Sequence, residues 1–131
     1  MKTGLFVAGL VVASLTAAGC RNPFESDETV MLGVETIEAP ATVAPNATLS
    51  VVFKVVTGGC VRFDRLQVSR TSTGATVIAW GKDSGGKNVA CPADIRIEPH
   101  AYEFAPPFTG SFVIVVPQQN APSKTATVQA Q

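Results

Sequence analysis

The 131-residue chain contains one histidine, one tryptophan, one tyrosine and three cysteines. So little imidazole and thiol leaves scant material for a catalytic metal centre, and none is expected. Only 15% of residues are charged, and ten Lys and Arg balance ten Asp and Glu. That balance excludes nucleic acid as a partner, because phosphate binding needs a surplus of cations on one face. The low charge and the 46% apolar content also exclude a disordered acidic or basic tail. No ten-residue segment carries helical periodicity, and no apolar run is long enough to span a bilayer, which takes about 20 residues.

The first apolar run is Leu5–Leu15, preceded by Lys2 and followed by Thr16-Ala17-Ala18-Gly19. A basic start, a short apolar stretch and small residues before a cut are the pattern of a secretory signal. Ala17-Ala18-Gly19-Cys20 resembles the lipobox of bacterial lipoproteins, with Ala17 where Leu is commonest. The resemblance implies cleavage before Cys20, lipid on its thiol and acylation of the new amino terminus. Arg21, in place of the Asp that favours inner-membrane retention in that family, implies the outer membrane, facing the periplasm or the cell surface. The organisation is then a leader over 1–19, the lipidated Cys20 with a polar tether to residue 29, and a domain over 30–131. Removing the leader leaves 112 residues with nine basic and ten acidic side chains and 48 apolar residues, ordinary for a globular domain.

Cys60 and Cys91 remain as an even pair in an exported chain, for which a disulfide is the expected state and two buried free thiols the alternative. Neither belongs to a Cys-x-x-Cys redox motif.

The mature chain holds fifteen Val, five Ile and eleven Thr but three Leu, a composition that favours strands. Leu49, Val51, Phe53 and Val55 alternate along Thr48–Val56, the clearest strand. Cys60–Arg70 and Ala75–Trp80 follow, divided by a turn at Thr71–Gly74, with Val77 and Ala79 on one face and Ile78 and Trp80 on the other. Asp94–Glu98 alternates Ile95 and Ile97 with charges. Ser111–Val116 is almost continuously apolar and reads as buried on both faces. Val30–Glu38 and Thr125–Ala130 are weaker strands. About seven short strands with a turn every ten residues predict an all-β, antiparallel β-sandwich. The stretch APATVAPNATLSVVFKVV and the Gly110-Ser111-Phe112 entry to Val113–Val116 resemble immunoglobulin-like modules of bacterial surface proteins. That resemblance implies a fold and carries no binding residues with it.

Several chemical motifs fail on context. Gly81–Asn88 nearly fits a phosphate-binding loop, but Asn88 replaces the hydroxyl and Pro92 follows where a helix should run, so no nucleotide is expected. The segment reads instead as a mobile Gly-rich hairpin loop, with Lys82, Asp83 and Lys87 as its candidate binding residues. His100 has no nucleophile motif to serve and reads as a surface or edge histidine. Trp80, Tyr102, Phe104 and Phe108 read first as core aromatics and second as a binding face for sugar or peptide; Phe104 and Phe108, flanking Pro106-Pro107, are the pair that an irregular loop would expose to a partner. No cofactor and no catalytic constellation emerge. The function expected is a non-catalytic, lipid-anchored envelope module that binds a protein or glycan. The alternative is a periplasmic inhibitor of a lysozyme or protease that presents Gly81–Asn88 to an enzyme cleft.

Overall fold

The computed structural model describes residues 27–86 and 88–131. The leader, Cys20, the tether up to residue 26 and Lys87 lie outside the described residues. Nine strands follow in order: β1 Glu28–Met31, β2 Val34–Glu38, β3 Thr42–Val43, β4 Leu49–Thr57, β5 Val61–Arg70, β6 Gly74–Asp83, β7 Arg96–Phe104, β8 Ser111–Gln118 and β9 Ala121–Ala130. They form an all-β sandwich. One sheet holds β1, β3, β5, β6, β8 and β9; the other is β2-β4-β7. β1 takes in Glu28 and Thr29, which the sequence assigned to the tether.

The alternation of β4 is realised directly. Leu49, Val51, Phe53 and Val55 are buried, and the residues between them are not. β4 is the middle strand of its sheet, so one face meets the core and the other meets solvent. Across the core, β6 presents Ala75, Val77, Ala79 and Gly81, and turns Ile78 and Trp80 outward. Gly81 is fixed by close packing. A Cβ there would stand 2.7 Å from Leu32 Cδ2 and 2.7 Å from the Arg62 carbonyl oxygen. Leu32 itself is buried, where the chain leaves β1 in the large sheet for β2 in the small one.

Three expectations are corrected. Strand β8 is not buried on both faces: Phe112, Ile114 and Val116 face the core, while Val113 is 36% exposed, because no described strand covers the outer face of the large sheet there. The sandwich is not wholly antiparallel, since β3 runs parallel to β9 and β6 parallel to β8. Both parallel pairs are non-local. Between β6 and β8 the chain crosses to the small sheet as β7 and returns. Finally, Gly81–Asp83 is not loop. These residues close β6, paired to β1 on one side and β5 on the other.

Irregularities fall where the ladder needs them. Pro99 lies in β7, an edge strand paired only to β4, where its missing N–H costs nothing. Pro117 sits at a register shift in β8, and Asp64 at another in β5.

The strand directions give the molecule two ends. One holds Asp27, the β4–β5 turn at Gly58-Gly59 and the segment from Ser84 to Ile95. The Cys60–Cys91 disulfide closes this end, across a sequence separation of 31 residues and a Cα–Cα distance of 5.2 Å. The other end holds the loops at 44–48, 71–73 and 105–110, together with the C-terminus.

Candidate functional site

Phe104 and Phe108 are both buried, as core aromatics, and the alternative of an exposed binding loop is corrected. The prolines do interrupt the ladder, but the rings turn inward instead of out. Phe104 and Phe108 each meet Phe112 edge to face, at centroid distances of 5.5 and 5.2 Å, and Tyr102 meets Phe104 at 4.7 Å. Arg70 locks the loop from outside. Its guanidinium lies 4.8 Å from the Phe108 centroid and donates to the carbonyl oxygens of Ala105 and of Pro107, the latter at 2.9 Å. Phe108 N–H donates to the Pro45 carbonyl at 3.0 Å.

Lys82 and Asp83 stand at the end of β6 and are engaged locally. Lys82 Nζ donates to Thr29 Oγ1 at 2.7 Å, and Asp83 Oδ1 accepts from Gly85 N–H at 2.8 Å. Ser84 donates to the Cys60 carbonyl through both its N–H and its hydroxyl. This segment is therefore stitched to β1, β5 and the disulfide.

The inner face of β7 carries Glu98, His100 and Tyr102 ahead of Phe104. His100 is half-buried and stacked on Phe63, with centroids 3.5 Å apart and planes 17° apart. Its Nε2 lies 3.4 Å from Glu98 Oε2. Thr57, buried at the end of β4, donates its hydroxyl to Glu98 Oε1 at 2.7 Å. That bond, with lesser help from His100 and Arg96, holds the Glu98 carboxyl below its ordinary value against an opposing cost of desolvation. The cluster is a closed polar patch at the sandwich seam. Thr57, its hydroxyl group, is buried and engaged as a donor to the carboxylate, so it does not face a substrate position. Among the described residues no group of three or more His, Cys, Asp and Glu could hold a metal ion.

The end away from Asp27 carries an open groove. Ser69, Thr71, Thr73, Thr76 and Ser111 line a depression of about 350 Å³ floored by Val113. It lies over the parallel junction of β6 and β8, where Gly74 pairs with Val113. Only glycine allows that approach, since a Cβ at Gly74 would sit 2.3 Å from the Val113 carbonyl oxygen. Thr71 also borders a second hollow of about 510 Å³ with Arg70, Ser72 and Thr109. Ser69, Thr73 and Thr76 supply donors and acceptors, while Thr71 donates to the Gly74 carbonyl and Ser111 exchanges hydrogen bonds with Gln129, and no charged side chain lines the first groove. The arrangement suits a neutral, polar ligand such as sugar hydroxyls or a peptide backbone. Sequence reading missed it because Thr71–Gly74 registers only as a turn. The recurrence of hydroxyls at outward strand positions, Ser69, Thr76 and Ser111, was the available signal. No family model, no curated protein and no solved structure matches this chain.

Proposed function

We propose that the chain is an exported, lipid-anchored cell-envelope protein whose sandwich is a non-catalytic module that binds an envelope glycan or protein through the hydroxyl-lined groove. The observation that carries this reading is the polarity of the fold. The chain arrives from the Cys20 side at the disulfide-closed end, and the groove opens near the opposite end. A tethered receptor requires that arrangement, since its binding face must point away from its anchor. The disulfide supports an oxidising, extracytoplasmic setting. Arg21 after Cys20 supports the outer membrane.

The inhibitor reading has less support. Gly81–Asp83 is strand, and the residues that follow leave the sandwich at the end where the tether arrives.

The test is a cross-linked pull-down from envelope extract, using the mature chain with its disulfide intact. Capture of one polysaccharide or one protein, lost in a Thr76→Val, Ser111→Ala double variant that still folds, is the expected result. Capture unchanged in that variant removes the groove from the proposal. Inhibition of a lysozyme or protease at micromolar concentration would favour the inhibitor instead.

A further inference from the structure

The described residues expose four large apolar side chains, and three of them lie at or beside the disulfide-closed end: Val89 at 49%, Ile95 at 81% and Ile97 at 49%. Ile97 is the Cα partner of half-buried Val56 on the outer face of the small sheet. Ile95 precedes β7 and packs close to the β4–β5 turn: its Cα lies 3.0 Å from where a Gly58 Cβ would stand, and Gly58 is in the positive-φ region at 135°. Asp94 before it is engaged: it accepts from Gly59 N–H at 2.8 Å and pairs with Arg96 at 3.1 Å. The two isoleucines therefore flank Arg96 of that pair. Exposed apolar clusters of this kind mark contact sites.

The length of chain beyond this end selects the occupant. Seven peptide steps separate Cys20 from Asp27, which at full extension reach about 25 Å. Asp27 is bound to Arg62 at 2.5 Å, and Glu28 pairs with Asp83 at the same end. With Cys20 in a bilayer, this end of the domain starts within about 25 Å of the lipid surface. We propose that Ile95 and Ile97, with Val89 of the same end, form a membrane-contact patch that inserts into the interfacial region and sets the sandwich upright on its anchor. This rests on the lipid-anchor reading above. Shallow burial of a few apolar side chains in the headgroup boundary is the mode of interfacial binding. The contact adds a second attachment to the lipid and fixes which way the groove faces.

The test separates the patch from the anchor. Intact mass of Cys20 in the full chain expressed in a bacterial host reads the anchor alone; absence of lipid there overturns the anchor and, with it, the proposal. The patch is read with residues 20–131, disulfide intact, carrying a single saturated chain coupled to Cys20, because one chain binds membranes only marginally and reversibly. Partition onto phosphatidylethanolamine–phosphatidylglycerol vesicles is measured for this protein, for an Ile95→Ser, Ile97→Ser variant and for Ile78→Ser on the outer face of the large sheet. The double variant is expected to lose at least about threefold in partition, with Ile78→Ser unchanged. Equal partition of all three overturns the patch whatever the mass of Cys20. Partition unchanged in the double variant, together with loss of a concentration-dependent dimer in sedimentation, assigns the surface to a second copy and also overturns the proposal.

Discussion

His100 of β7 and Phe63 of β5 stack face to face at 3.5 Å, one ring from each sheet. The pair closes the seam of the sandwich where the inner face of β7 turns polar. It explains why the chain's one histidine is half-buried on an edge strand with no nucleophile beside it. A Phe63→Leu, His100→Leu double-mutant cycle should show a coupling of about 0.5–1.5 kcal/mol. Chemical denaturation measures it, and strictly additive single variants would show that the stack contributes nothing beyond its burial.

Glu98 makes the same seam sensitive to acid. Its carboxyl is held below the ordinary 4.5, first by the Thr57 hydroxyl and then by His100 and Arg96. A depressed carboxyl stabilises the fold above its unfolded-state pKa, and the contribution disappears as pH falls through the folded value. The melting temperature should therefore decline as pH drops below about 4.5. The slope there should be shallower in Glu98→Gln. Its size will be small, because the side chain is about a third exposed. A slope in the variant as steep as in the parent would assign the acid sensitivity to other carboxylates.

The disulfide is expected to stabilise the domain without defining it. Closing a span of 31 residues contributes about 3–4 kcal/mol in the chain-entropy model. The Cys60→Ala, Cys91→Ala variant should keep its strand signal in circular dichroism and unfold at lower denaturant. Loss of that signal at neutral pH in the absence of denaturant would mean that the core between the two sheets is insufficient by itself.

What could be read from the residues divides along the difference between local and non-local causes. The period of two in β4 was visible because its inward positions are apolar up to Thr57 at its end and the residues between them are not buried. The Cys60–Cys91 bridge was visible from parity and from the export that the leader pattern leads one to expect. β7 was less legible. Ile95 and Ile97 carry the apolar pattern, yet the register with β4 aligns Val51 with Tyr102 and Leu49 with Phe104, so the inward face is Glu98, His100, Tyr102 and Phe104. Thr57 donates to Glu98 and Phe63 covers the His100 ring, whose buried Nε2 makes no hydrogen bond among the described residues. The Phe104–Phe108 loop was ambiguous for a related reason. Proline does forbid ladder pairing, but it does not say which way the flanking rings point. The groove left only the outward hydroxyls Ser69, Thr76 and Ser111 as a trace, since it is assembled only where β8 returns parallel to β6.

The burial of Phe108 separates a structural role from a binding one. Its ring packs against Phe112 under the Arg70 guanidinium and fills a fully buried position. Truncating a buried phenylalanine to alanine costs about 3–5 kcal/mol, through lost transfer energy and the cavity left behind. Phe108→Ala should therefore lower stability by about that amount. Any ligand captured by the folded fraction of this variant should bind with unchanged affinity. Arg70→Ala should destabilise less, because the exposed guanidinium supplies two carbonyl contacts and a cation–π contact while the ring beneath it remains packed. Denaturation curves for the two variants, taken beside the parent, order the three proteins. If Phe108→Ala melted with the parent but lost its ligand, the ring would have to leave the core to bind, and the loop would be a recognition element.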